Sequence, residues 1–332
     1  MLKKTKHCPK CKSTHLVIWG YSKSNSKRYK CRNCNKTFTP RKKKRSNRHF
    51  RLFKTWILNG AKIDLVKQFS RKSISAKTLR RYFHRFLDKP PLPKPLEQSQ
   101  AIYLKVDAKY FGRWGCLLLY KTGRNLIYWN FVLRETFFNY LYDLVEIKKL
   151  GYTIIGVASD WHGSIVSAIK TIFKGNIPHQ RCLVHTQRLC ESLLTKNPKT
   201  EAGIHLLEVV KDINQIRNHY EAKLWLNRLS FWERDYGYLT TERTRGFKED
   251  GSRTWWYTHK NLRRSFRTLK NTKDSLFLYL NYEGLEKDTN GLESEFSHLK
   301  QKISMHRGLK RERKIKAIYW FCHFKSLERK NQ

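Results

Sequence analysis

The stretch Gly151-Tyr-Thr-Ile-Ile-Gly-Val-Ala-Ser-Asp160-Trp-His-Gly163, with Ser164 to Phe173 behind it, leaves the chain few choices. Thr153 to Ala158 is apolar and partly β-branched over a length that suits a buried strand, whereas Ile165, Ile169, Ile172 and Phe173 recur at helical spacing. Asp160 therefore stands where a strand passes into a helix. In an open α/β sheet the carboxyl ends of strands gather ligands and chemistry, and a carboxylate there stays hydrated enough to hold a cation. The bland alternative is that Asp160 only caps the helix.

Upstream lie three runs, Ala101 to Phe111, Gly115 to Tyr120 and Leu126 to Leu133, with Lys121-Thr-Gly-Arg-Asn125 as a turn between the last two. They read as antiparallel strands. A helix follows, with Phe137, Phe138, Leu141, Leu144, Val145 and Ile147 on its buried side. Three antiparallel strands, a crossover helix and a fourth strand parallel to the first is the order of an RNase H-like α/β domain. That order sets Asp107, midway along the first strand, beside Asp160. Paired carboxylates on adjacent strands suit two Mg²⁺ (or Mn²⁺) ions, since hard cations take oxygen ligands. A third carboxylate is expected from Asp288-Thr-Asn-Gly-Leu-Glu293-Ser-Glu295-Phe-Ser-His-Leu-Lys300, where Leu292, Phe296 and Leu299 form a helical stripe. Glu293 flanks that stripe, while Glu295 falls on another face because each residue turns the helix by about 100°. Asp288 or Thr289 can cap this helix.

At the other end, Cys8-Pro-Lys-Cys11 and Cys31-Arg-Asn-Cys34 form two Cys-x-x-Cys pairs around a short hairpin. Four thiolates so spaced meet at one tetrahedral Zn²⁺, a closed and hence structural site. The remaining cysteines, Cys116, Cys182, Cys190 and Cys322, are scattered, so the set argues for metal binding rather than a disulfide framework. No Asp or Glu precedes Asp64, and Lys42, Lys43, Lys44 and Arg45 sit in a basic block suited to phosphate contact. Helices are expected around Phe50 to Leu58, from Ala61 to Phe69 with Ile63, Val66 and Phe69 inward, and from Ser75 to Leu87 with Leu79, Tyr82, Phe83 and Phe86 inward. That pattern fits a helix-turn-helix whose last helix offers Lys77, Arg80, Arg81 and Arg85 to DNA; a basic three-helix connector is the alternative. Lys89-Pro-Pro-Leu-Pro-Lys-Pro95 then acts as a stiff linker.

Seventy Lys and Arg against 26 Asp and Glu give a formal charge of +44, so a compact chain needs a polyanion, most simply nucleic acid. No apolar run approaches the roughly 18 residues of a membrane span, and Met1-Leu-Lys-Lys leads into a polar stretch. The expectation is an intracellular, cytoplasmic protein associated with the nucleoid.

Asp107, Asp160, Asn290-Gly-Leu-Glu293 and Arg181-Cys182-Leu-Val-His185 together resemble the DDE transposases of bacterial and archaeal insertion sequences related to the Mutator elements, in the variant with an N-terminal zinc ribbon. The resemblance spans essentially the whole chain. It implies Asp107, Asp160 and Glu293 as catalytic metal ligands, a mostly helical insertion before Glu293, Cys182 and His185 near the active site, and Lys300 as a basic residue near DNA. Ala108 departs from the glycine frequent after the first aspartate. The domains implied are a zinc ribbon (1–40), a helix-turn-helix (41–88), a linker (89–98), an RNase H-like core (99–194), a helical insertion (195–284) and final core helices (285–332). The activity implied is metal-dependent cleavage and strand transfer of double-stranded DNA at element ends, by a dimer or larger oligomer. Two rivals remain at this level, an inactive DNA-binding regulator and a structure-selective nuclease on the same fold.

Overall fold

The computed structural model describes residues 6–22, 25–40, 46–70 and 74–328. Lys42, Lys43, Lys44 and Arg45 lie outside the described residues. The chain divides into Met1–Phe53 and Lys54–Gln332. In the first unit β1 (Leu16–Tyr21), β2 (Lys27–Cys31) and β3 (Thr37–Phe38) form an antiparallel sheet in that order. Among the described residues between positions 6 and 40, only Cys8, Tyr29 and Cys31 are buried apolar residues, so this sheet has almost no hydrophobic core.

Helix α1 (Ser46–Asn59) carries the division between the units and starts four residues before the expected Phe50. It is followed by α2 (Ile63–Gln68) and α3 (Ala76–Leu87). Ser75 caps α3, its Oγ accepting from the Thr78 N–H at 3.1 Å. Leu79, Phe83 and Leu87 are buried, with Phe83 against Trp56 at 5.1 Å between ring centres, while Lys77, Arg80, Arg81 and Arg85 all face outward. The short α2 ends before Phe69, which is 64% exposed rather than inward, and only Val66 of its expected face is fully covered.

The main sheet is β4 (Gln100–Tyr110), β5 (Cys116–Thr122), β6 (Asn125–Val132), β7 (Tyr152–Ser159) and β8 (His179–Arg181), in the order β6-β5-β4-β7-β8. Pairings β4–β5 and β5–β6 are antiparallel, and β4–β7 and β7–β8 parallel. Strand alternation sends Ile102, Leu104 and Val106 into one core with α4 (Phe137–Lys149) and α5 (Gly163–Phe173). Lys105 and Asp107 take the opposite face. Gly115, with φ +142°, immediately precedes β5, where an added Cβ would strike Phe131 and the Val132 carbonyl at 2.5 Å.

Helix α4 buries Tyr140, Asp143, Leu144 and Ile147, whereas Phe138 and Val145 of the expected inner face are exposed. The phase is set by Asp143, which accepts from the Tyr120 hydroxyl at 2.8 Å and the Asn130 amide at 2.7 Å. Burial pushes the Asp143 carboxyl up to about 7, against the pull of those two hydrogen bonds. A native acid raised above its unfolded value binds the extra proton between the two pKa values, so stability falls as pH climbs from about 4 to about 7. Asp143→Asn is expected to flatten that slope in pH-dependent denaturant titrations; an unchanged slope would count against it.

After β8 come α6 (Leu183–Leu194), α7 (Glu201–Asp212) and α8 (His219–Tyr236), then β9 (Arg243–Phe247) and β10 (Arg253–Tyr257), then α9 (Lys260–Lys270). Their helices share a second core that includes Leu206, Trp225, Trp232 and Phe266. The segment is therefore not wholly helical, since β9 and β10 pair as an antiparallel ribbon. Trp225 and Trp232 are core residues donating to the Val209 and Ala202 carbonyls. The chain ends with α10 (Asn290–Ser304) and α11 (Arg311–Glu328), the latter lying along β6 where the Tyr319 hydroxyl accepts from the Phe131 N–H at 3.1 Å. Among the described residues no helix is long and apolar enough to cross a membrane.

Candidate active site

Asp107 projects from mid-β4, is 5% exposed, and accepts from the Ala108 N–H at 2.8 Å. Asp160 follows the last residue of β7, and the register pairs Val106 with Ser159, bringing the two aspartates to one end of adjacent parallel strands. Asp160 is not the helix cap. Its Oδ1 accepts from the His162 N–H at 3.0 Å, and His162 holds the N-cap position of α5. Between them Trp161 has φ +70°, a region costly for a side chain of this bulk. It is held by its ring against His179 at 4.4 Å, while His179 Nε2 lies 2.8 Å from the Ser159 hydroxyl.

Burial first of all pushes the Asp107 carboxyl up, to about 7; His185 draws it down, and the negative charges of Asp160 and Glu293 push it further up. The three carboxylates therefore share one field. Glu293, in the first turn of α10, is held by Arg188, with His185 Nε2 at 3.6 Å. Glu295 is buried on another face, 3.8 Å from Lys121 Nζ, which also donates to the Gly291 carbonyl at 3.0 Å. The neighbouring Lys105, 5% exposed, meets Glu286 at 2.6 Å. Lys300 lies two turns beyond Glu293, exposed, on a recess with Phe111, Trp114 and Lys314.

Cys182 and His185 join α6 to α10. The Thr289 N–H and hydroxyl donate to Cys182 Sγ at 3.4 and 3.5 Å, and Thr289 Oγ1 and Cys182 Sγ each lie 3.2 Å from His185 Nδ1. The Leu183 N–H donates to the Lys287 carbonyl at 3.0 Å, closing the clasp. Glu293 thus meets His185 and Arg188 of α6, while Cys182, the N-cap of that helix, holds Thr289 at the start of α10. Thr289→Val, which removes the hydroxyl, is expected to lower turnover by about tenfold with little change in substrate affinity, the usual cost of losing a supporting contact. Equal effects on turnover and affinity would point to wider unfolding.

Sequence reasoning passed over Arg188, although its spacing from Cys182 and His185 marks it. It also passed over Glu135, whose side chain is 7% exposed, accepts from the Tyr140 hydroxyl at 2.5 Å and stands 3.3 Å from His162 Nδ1. Burial, and then Asp160, push the Glu135 carboxyl up, so a fourth acid borders the site. No spacing in the sequence links it to Asp160.

Among the described residues, the four cysteines are the group of His, Cys, Asp and Glu whose ligand atoms all lie within 4.8 Å of one another, and could hold a metal ion. The Cys11 N–H is the largest influence drawing the Cys8 thiol down to about 6. Asp107, Asp160 and Glu293 are not drawn together so closely; Glu293 is turned to the Arg188 guanidinium instead.

No curated protein matches this chain. Among solved structures it is similar to a chain of the Drosophila P element transposase strand transfer complex, at 12% identity over 88% of this chain and 81% of that one, with a TM-score of 0.29. It is also similar, at 12% identity over 50% of this chain and 69% of the other with a TM-score of 0.20, to a chain of the simian T-cell lymphotropic virus intasome in complex with PP2A regulatory subunit B56 gamma. Residues 161–310, under half of the chain, match the family described as Transposase IS66 family.

Proposed function

We propose that this protein is a DNA transposase of the DDE type on an RNase H-like core. The observation that carries the proposal is geometric: the register of β4 on β7 brings Asp107 and Asp160 to one end of adjacent parallel strands, in a chain of net charge +44. The match of residues 161–310 to a transposase family supports the same reading. Oxygen-only donors suit Mg²⁺ or Mn²⁺, which when bound would stabilise the attacking and leaving oxygens of an in-line displacement at phosphorus. Asp107 and Asp160 would hold the ions from the sheet, and Glu293 from α10. With Glu293 on a cation, Arg188 and His185 would be free to donate to a phosphate oxygen.

In this reading the four cysteines hold a structural Zn²⁺, and α2 and α3 dock on duplex DNA through Lys77, Arg80, Arg81 and Arg85. The Mutator-type relation with a zinc ribbon, action at terminal repeats and assembly on two ends belong to the same proposal. The test is incubation of the full chain with DNA carrying the element's ends and Mg²⁺ or Mn²⁺. Nicked or cut ends plus strand-joined products are expected; cutting without joining would indicate a nuclease, and neither would leave a binding protein.

A further inference from the structure

The antiparallel ribbon β9–β10 has one face built from alternating charge and ring. Its register opposes Arg253 to Phe247, Arg245 to Trp255 and Arg243 to Tyr257, so each cross-strand pair on that face joins one arginine to one aromatic residue. These side chains are largely in solvent: Phe247 is 72% and Trp255 50% exposed, and the three arginines are exposed. The Arg243 guanidinium lies 4.2 Å from the Trp255 ring centre, and Arg263 of α9 lies 3.8 Å from that of Tyr257. On the opposite face the Trp256 ring lies close over Gly246, where a Cβ would meet it at 3.0 Å. Exposing such rings to water is unfavourable, and the rest of this segment hides its tryptophans, so the face calls for a ligand with planar apolar surfaces and negative charge.

A basic recess continues from the ribbon. Arg263, Arg264 and Arg267 of α9 line it together with Arg181, Thr268 and Asn271. Arg181 pairs in register with Ser159, the residue before Asp160, and its guanidinium is fixed by Thr186 at 2.8 Å and Thr272 at 3.3 Å. Arginines therefore run from the ribbon to the strand end that bears Asp160.

We propose that the β9–β10 face binds unpaired nucleotides of a DNA strand, bases on Trp255 and Phe247, with the α9 recess taking the phosphates that lead toward Asp160. Single strands are favoured over duplex because only unstacked bases present π-faces, whereas duplex grooves present base edges to which exposed rings add little. The link to Asp160 rests on the transposase reading; the strand-binding face does not.

The experiment uses the full chain, without added Mg²⁺ or Mn²⁺, and measures binding of a labelled oligothymidine and of a duplex of equal length across a salt series. Trp255→Ala and Phe247→Ala are expected to weaken oligothymidine binding about tenfold each, to leave the salt slope unchanged, and to affect duplex binding far less. Trp255→Phe should retain most of the binding, which separates stacking from folding. Arg245→Gln should lower the salt slope by about 0.7, one phosphate contact on a single strand. Unchanged oligothymidine binding in Trp255→Ala, or equal losses on strand and duplex, would overturn the assignment, as would altered self-association with strand binding intact. If no DNA is cut yet strand binding depends on Trp255, this inference stands and the transposase reading falls; metal-dependent cutting with Trp255-independent binding has the reverse meaning.

Discussion

Asp160→Asn is expected to reduce metal-dependent strand cleavage by about a thousandfold or more, the loss of several kcal/mol of charge stabilisation at the phosphorus. The amide keeps an oxygen to accept the His162 N–H, so the turn through Trp161 persists and the change is confined to one negative charge. A parallel pair decides the third acid. Glu293→Gln should be as inactive as Asp160→Asn. Glu295→Gln should retain cleavage but lose stability, about 1–3 kcal/mol, because Lys121 is 4% exposed and loses an anionic neighbour. Cleavage assays beside denaturant titrations read both. Activity in Asp160→Asn equal to wild type would remove the carboxylate assignment altogether.

Stripping metal from the cysteine cluster should have the largest effect on stability. With Cys8, Tyr29 and Cys31 the only buried apolar residues among those described around it, the β1–β2–β3 sheet lacks the apolar burial to fold unaided. Metal binding to four thiolates in small zinc modules releases about 10–16 kcal/mol at neutral pH, comparable to the whole stability of a domain. One zinc per chain is therefore expected, and a strong chelator or Cys31→Ser should expose the many lysines and arginines of this sheet to trypsin. Chelator-treated protein as protease-resistant as the untreated form, with no zinc by elemental analysis, would show that the thiols hold the sheet in some other way.

Much of the site is legible before folding. The strand-to-helix passage at Asp160 reads directly, because an apolar β-branched run followed by a 3.6-residue period has one simple solution, and β7 and α5 fall there. The pairing of β4 with β5 and β7 follows from the same patterning. Harder to read was α4, where a buried carboxylate rather than the aromatic residues sets the helix phase. Phe138 is exposed because Tyr120 and Asn130 require Asp143 inside. Likewise Trp255 and Trp256 share a segment with Trp225 and Trp232, yet one pair lies on a ribbon in solvent and the other in a core.

Local period, spacing and counting were enough to read the antiparallel strands and β7 of the main sheet, the two cysteine pairs, the net charge and the positions of three acids. The groups around those acids come from the folded chain: Arg188 and His185 on Glu293, Lys121 on Glu295, Glu135 beside Asp160, and the arginine path from Arg181 to the ribbon. Those contacts join residues far apart along the chain. Charge complementarity and burial between distant elements leave no periodic trace in a single sequence, so they emerge only when the helices close on the sheet.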